Sequence, residues 1–342
     1  MLGSVNKLLR LRPSRLPWSR ACSGVGAAHG RAVPDVDAKS LSRREQIKTL
    51  EALLNGAAPS SAVADFMRET GISKLELYVQ EEGGDIGVGT MGLATLAGAL
   101  GATTSLVELS LIGGLNSDNA RILADGMRGN SSVTSLSLVG TPIGEEGARA
   151  LAVALAEVRL LTLSLPYCGI GPAGGVALAG ALRTNTVLRH LDLSGNHLCG
   201  KQQLPGGAWE GEHTIEAVAA LADALPHSAV TDLNLRHNEL GVSGCVAFAA
   251  ALRADAPLAT LNLQLNSFGD AGAIALLESL TANTSARSID LRENKLGEGA
   301  KDARVGLARR RAGAELERVR VELPEKHPKL WPKQDVKVTQ SE

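Results

Sequence analysis

One short pattern returns along most of this chain: an apolar residue, two others, a leucine, one other and a second leucine. It reads ISKLEL at 72–77, LVELSL at 106–111, VTSLSL at 133–138, LLTLSL at 160–165, LRHLDL at 188–193, VTDLNL at 230–235, LATLNL at 258–263 and ARSIDL at 286–291. Counted from Leu75, successive spacings are 34, 27, 27, 28, 42, 28 and 28 residues. A period of 27 or 28 is therefore set, with insertions of about seven residues near 81–92 and fourteen near 199–212. Fixed self-similarity on this scale is the mark of a stacked repeat architecture.

Within each unit, L-x-L alternation puts two leucines on the buried side of a short strand and turns the residues between them outward. Three residues past that second leucine come Cys168, Asn196, Asn238, Asn266 and Asn294, with Gly114 and Thr141 in the same column of earlier units. A buried amide there can both donate to and accept from the backbone of adjacent turns. An Ala/Leu-rich stretch of helical spacing follows, as in GARALAVAL (147–155), GGVALAGAL (174–182) and GCVAFAAAL (244–252). One strand and one helix cannot bury their apolar faces alone, so the units must stack. Helices are wider than strands, so the stack must curve.

The pattern resembles the leucine-rich repeat, and its period and helical second half look like the ribonuclease-inhibitor subtype. The resemblance covers roughly residues 72–321, with LERVRV (316–321) as a terminal strand. It implies an α/β solenoid, or horseshoe, with a concave parallel β-sheet and convex helices.

Composition agrees with many small similar layers. Hydrophobic residues make up 44% of the chain but aromatics only 2%, so Leu, Ala and Val must build the interior. Cys22, Cys168, Cys199 and Cys245 are too scattered for a disulfide framework or a C-x-x-C site, and a reducing, intracellular setting is expected. No apolar run approaches the roughly 18 residues that a membrane-crossing helix needs.

Net charge is −1 overall but unevenly spread. Residues 1–34 carry six basic and no acidic side chains, residues 301–342 carry eleven basic and seven acidic, and 35–300 is left at −11. An acidic body lacks the footprint that a phosphate backbone requires, so nucleic acid is not an expected partner.

The boundaries then read as follows. Residues 1–34 are a disordered basic segment or an organellar transit peptide, mitochondrial or plastid, with a cytoplasmic location as the alternative. Residues 35–71 form a helical N-terminal cap with an apolar stripe of Ile47, Leu50, Leu53 and Leu54. Eight repeats occupy 72–300, a cap helix and strand 301–323, and a disordered tail 324–342.

No catalytic set emerges. The run Gly195-Asn-His-Leu-Cys-Gly-Lys201 has the spacing of a phosphate-binding loop, but Gln202 stands where that loop needs a Ser or Thr for magnesium. Asn196 and Leu198 are also the asparagine and apolar positions of the repeat, which explains the stretch without phosphate. The histidines fall in different columns and are not expected to converge on a metal. Neither a cofactor nor enzymatic activity is expected. The sequons at Asn130 and Asn283 read as turn residues at helix ends.

Function is therefore sought on the outward residues. Candidate partner-binding positions are His190 and Asp192, then Asp232, Asn234 and Arg236, then Asn262 and Gln264, then Asp290 and Arg292, all on the concave face of the C-terminal half. Trp209, in the fourteen-residue insertion, joins them as an anchor or as a shield for the solenoid edge. The expectation is a monomeric, non-enzymatic scaffold that binds a protein partner. The resemblance also admits a GTPase-activating regulator like the Ran activator, and the basic N-terminus admits an organellar assembly factor.

Overall fold

A computed structural model describes residues 38–56, 58–79, 88–203, 209–303 and 320–322. The segments 1–34 and 324–342 lie outside the described residues, as do 80–87 in the first insertion and 204–208 in the second.

Two helices open the described chain, α1 (Arg43–Asn55) and α2 (Ser60–Thr70). Ser42 starts α1 with a capping box: its hydroxyl accepts from the Glu45 N–H, and the Glu45 carboxylate accepts from the Ser42 N–H. Leu50, Leu53, Leu54, Val63, Phe66 and Met67 turn inward from these helices and cover the first open face of the stack.

Strands and helices then alternate. β1 (Lys74–Val79), β2 (Glu108–Gly113), β3 (Ser135–Val139) and β4 (Thr162–Ser164) are followed by α3 (Thr90–Leu100), α4 (Ser117–Met127), α5 (Gly144–Ala154) and α6 (Pro172–Leu182) in turn, and β5 (His190–Asp192) comes after α6. The insertion after β5 holds two short strands, β6 (Gln202–Gln203) and β7 (Trp209–Glu210), and leads to α7 (Glu216–Ala224). The series resumes with β8 (Asp232–Asn234), α8 (Gly241–Arg253), β9 (Thr260–Asn262), α9 (Gly269–Ser279), β10 (Ser288–Asp290) and β11 (Arg320–Glu322).

β1 to β5 and β8 to β11 form one nine-stranded parallel sheet in chain order, while β6 and β7 form a separate antiparallel pair. Register is uniform: Leu163 pairs with Leu191, Leu191 with Leu233, Leu233 with Leu261 and Leu261 with Ile289. The fourteen-residue insertion thus leaves β5 and β8 paired as ordinary neighbours. Every leucine of this row is at most 2% exposed, and the residues on either side face outward. Strand spacing near 4.8 Å against helix spacing near 10 Å bends the stack with the sheet inside.

The asparagine column does the work that its chemistry allows. Asn266 donates from Nδ2 to the carbonyls of Leu235, Leu263 and Gln264, and its Oδ1 accepts from the N–H groups of Asn238 and Leu240 one turn earlier. Asn196 binds Leu165 O and accepts from Cys168 and Ile170 in the same way, and Asn294 serves the turn of Asn266. Cys168 replaces the amide with its thiol, which donates to Leu138 O at 3.1 Å and meets the Thr141 hydroxyl at 3.3 Å. Backbone φ is positive on both sides of the column at Tyr167 and Gly169, His237 and Glu239, Leu265 and Ser267, and Glu293 and Lys295, so the chain turns sharply away from the sheet there.

A second asparagine row, not anticipated as such, sits at the other end of the helices. Asn130, Asn185 and Asn283 stand three residues before the first apolar position of their units and are 5, 6 and 4% exposed. Each donates to a carbonyl of the preceding unit and accepts two N–H groups of its own loop. For Asn185 these are Leu155 O at 2.7 Å and the N–H groups of Val187 and Leu188. Asn130 and Asn283, the two sequon asparagines, are therefore structural turn residues with their amides used inside the fold.

Candidate functional site

The outward residues on β5, β8, β9 and β10 share a local device. The side-chain oxygen of Asp192, Asn234, Asn262 and Asp290 accepts the backbone N–H two residues on, from Ser194, Arg236, Gln264 and Arg292, at 2.8 to 3.1 Å. Such Asx-type bonds offer the backbone an alternative to the ladder. These four strands are three residues long, as is β4, which lacks the bond, whereas β1, β2 and β3 run six, six and five. Four of the candidate residues therefore fix the loop that follows their strand as well as facing outward.

Several candidates are brought together. Asn234 donates from Nδ2 to Oδ2 of Asp192 at 3.0 Å. His190 Nδ1 lies 3.0 Å from Asp232 Oδ2, which also accepts from the Thr231 hydroxyl. Gln264 donates to Asp290, and Arg292 grips the same carboxylate through Nε and Nη2. The guanidinium and amide bonds to Asp290 outweigh its partial burial and hold its carboxyl below the usual range.

Between β4 and β9 these side chains border a shallow open depression of about 390 Å³. Its walls are Thr162, Ser164, His190, Asp192, Asp232, Asn234, Thr260 and Asn262, with Leu163, Leu191 and Leu233 beneath. Every polar type except a permanent cation is present. Arg236, Gln264, Asp290 and Arg292 stand outside it, on the same face but nearer the ends of the strands or the last turns.

Trp209 lies in β7, where its backbone pairs with Gln203 across the insertion hairpin. The hairpin is rooted by two glycines. A Cβ on Gly200 would lie 2.5 Å from Glu212 O, and one on Gly211 would lie 2.2 Å from Gly200 O. Both also have positive φ, so only glycine suits these positions. The second glycine of the phosphate-loop-like run is thus the base of a hairpin, and the first, Gly195, is a turn residue lying under the ring of Tyr167.

Reasoning from sequence passed over that tyrosine. Tyr167 is 51% exposed, and its ring spans Gly195 to meet the His237 ring edge-on, with centroids 6.5 Å apart. The missing signal is the glycine: a tyrosine one unit earlier can lie across the turn only where no Cβ stands. Tyr78, 57% exposed on β1, and its cross-strand neighbours Ile112 and Val139 form a second outward feature, an apolar row on the N-terminal half of the concave face.

Among the described residues no group of three His, Cys, Asp or Glu side chains is placed to hold a metal ion. Cys168, Cys199 and Cys245 are buried and unpaired with one another. Burial raises all three thiols, Cys199 to about 12.

A family model for the leucine-rich repeat matches residues 129–152, 160–179, 184–198, 229–249 and 256–277. The chain is a leucine-rich repeat protein. Its repeats are of the ribonuclease-inhibitor-like kind: it is 33% identical over 139 residues to the ribonuclease inhibitor of Sus scrofa, covering 36% of this chain and 30% of the inhibitor. It is 35% identical over 158 residues to the leucine-rich repeat-containing protein 73 of Homo sapiens, covering 44% of this chain and 46% of that protein. A third similarity, 36% over 115 residues, is to the NACHT, LRR and PYD domains-containing protein 5 of Bos taurus, covering 32% of this chain and 10% of that one. The matched region is less than half of each of these relatives. Leucine-rich repeat proteins generally mediate protein–protein interaction and are typically not enzymes. No helix among the described residues of this repeat protein is long and apolar enough to cross a membrane.

Proposed function

We propose that this protein is a non-enzymatic scaffold that binds a protein partner on the C-terminal half of its concave sheet, with the Trp209 hairpin beside it. The observation that carries this reading is the depression between β4 and β9. It is open, it is lined by hydrogen-bonding side chains from four consecutive turns, and its shape is set by the register of the sheet. Side chains held by their own turns lose little freedom when a partner arrives, which favours binding.

The test compares the full chain with a His190→Ala, Asp232→Ala, Arg236→Ala variant as bait, scoring proteins captured by one and lost from the other. None of these three side chains makes the Asx-type bond to its own loop, so the variant should melt with the parent. Equal recovery of every partner by both baits would remove this face from the function.

A further inference from the structure

The convex side of the stack changes character at α6. On α4 and α5 the outward residue two before the buried leucine is an arginine, Arg121 or Arg149, paired with a carboxylate one turn earlier. On α6, α7, α8 and α9 the same column holds Val176, Ala219, Val246 and Ile274, none of them buried, and the next column is alanine on all four. Val242 and Val246, one turn apart on α8, are 44 and 47% exposed. No charged residue lies between Pro172 and Leu182 on α6, and none precedes Arg253 on α8. A helix that is apolar on every side is ordinarily covered on every side, yet within this chain only the inner face and the flanks of these helices are packed.

Charge returns only at the ends of these four helices, and at their C-terminal ends it alternates. Arg183 follows α6, Asp223 lies in the last turn of α7, Arg253 ends α8 and Glu278 lies in the last turn of α9. All four are exposed, and none makes a side-chain hydrogen bond or an ion pair among the described residues. Asp255, in the loop after α8, is engaged by the N–H and hydroxyl of Thr284. At the N-terminal ends the first turns hold no basic residue; Glu216 is exposed there, and Asp270 accepts from the N–H groups of Gly297 and Gly299.

We infer that this convex face receives a second copy of the same chain, related by a two-fold axis that runs parallel to the helices between α7 and α8. Such an axis sets α7 against α8 of the second copy and α6 against α9, with all the helices parallel. The order plus, minus, plus, minus then meets itself reversed: Asp223 faces Arg253 of the second copy and Arg183 faces its Glu278, each contact occurring twice. The arginines stand one turn nearer the helix ends than the carboxylates, and helical side chains lean back toward the N-terminus, so the guanidinium groups reach the carboxylates. Curvature parts α6 from α9 more than α7 from α8, and long side chains on both sides span that gap. An axis perpendicular to the helices would instead set each helix on its own copy, with Glu216 against Asp223 and Asp270 against Glu278, like against like. A partner segment of a single sign would meet two opposed charges among the four, whereas a second copy meets none. Four helices about 16 Å long and about 10 Å apart present roughly 640 Å² per copy, or roughly 1,300 Å² in all, within the range of stable specific interfaces.

Sedimentation equilibrium of the full chain tests this. A reversible dimer is expected at micromolar concentrations, where interfaces of this size begin to hold. An Arg183→Glu, Arg253→Glu variant makes the whole row acidic, and an Asp223→Arg, Glu278→Arg variant makes it basic. Each alone should dimerise about tenfold more weakly than the parent or worse, because like charges then face each other. Mixed, the two should form a one-to-one dimer at least as tight as the parent's. All four positions are exposed, so both variants should melt with the parent. The His190→Ala, Asp232→Ala, Arg236→Ala variant should dimerise like the parent, which separates this face from the concave site. A single-chain mass up to about 100 μM overturns the inference, restores the monomer expected from sequence and leaves the face to a different protein. A dimer unchanged in both variants, or a mixture that stays monomeric, overturns it as well.

Discussion

His190 Nδ1 and Asp232 Oδ2 stand 3.0 Å apart on neighbouring strands although 42 residues separate them, because the insertion between β5 and β8 is excluded from the sheet. The contact is a product of register: His190 faces Asp232 as Leu191 faces Leu233.

That pair is exposed enough to contribute little to folding. A double-mutant cycle on His190→Ala and Asp232→Ala should return a coupling of about 0.2–1 kcal/mol in urea unfolding, as exposed ion pairs do. A coupling well above that range would mean that the pair organises the sheet rather than its surface.

Asn266→Ala should be far more damaging. The substitution strands the N–H groups of Asn238 and Leu240 and three carbonyls in a fully buried column. Buried unsatisfied backbone groups cost about 1–3 kcal/mol each, and some carbonyls keep other partners, so a loss of roughly 2–5 kcal/mol is expected in chemical denaturation. Asn185→Ala, in the second row, should fall toward the lower end of that range.

Two helix glycines should answer to alanine with opposite signs. A Cβ on Gly126 of α4 would lie 2.4 Å from Ala97 O on α3, a backbone atom that cannot step aside, so Gly126→Ala should destabilise by about 1–3 kcal/mol. Gly180 of α6 has nothing within 4 Å of that point. Gly180→Ala should stabilise by about 0.5–1 kcal/mol through helix propensity alone. Thermal melts of both variants check the pair, and equal signs would contradict the packing.

The thiols set an alkaline limit. Burial favours the protonated form of Cys199, moving it from 9.0 to about 12 in the folded state. The folded chain therefore holds more protons than the unfolded one between those values, and this contribution to stability, complete below pH 9, is lost as pH rises toward 12. Cys199→Ala should flatten the fall in stability across that window. In a Cys22→Ser background, a thiol reagent at pH 8 should label none of Cys168, Cys199 and Cys245 until the chain is denatured.

The sequence carried the period, the strand register and the asparagine column because each depends on residues that recur at fixed offsets. Leu163, Leu191, Leu233 and Leu261 could be aligned by eye, and one neighbour determines the next. The second row was less legible: Asn130 and Asn283 looked like turn residues, but Asn185 was not set beside them, since the row is broken at Thr103, Glu157, His227 and Asp255. At the candidate site, position could be read and bonding could not. Alternation shows that Asp192, Asn234, Asn262 and Asp290 face outward. It says nothing of the N–H two residues later that takes half of each side chain's capacity. Tyr167, Gly195 and His237 hold one column of three successive units, but the column alone does not say that the tyrosine ring crosses the glycine to reach the histidine.

Asn238 differs from the rest of its column. Its Nδ2 still donates to Leu193, Leu235 and Arg236, but its buried Oδ1 has no partner among the described residues, at the seam where the insertion enters. Each other asparagine from Asn196 onward clasps the backbone of the turn before it, so a pull along the solenoid axis is shared between neighbouring turns. At this seam Asn238 keeps its bond to Leu193 O in the turn before but accepts no N–H from that turn among the described residues. The seam thus keeps its strand pairing but holds one amide link fewer than the turns that follow, and the hairpin bearing Trp209 leaves the chain between the two turns that share it.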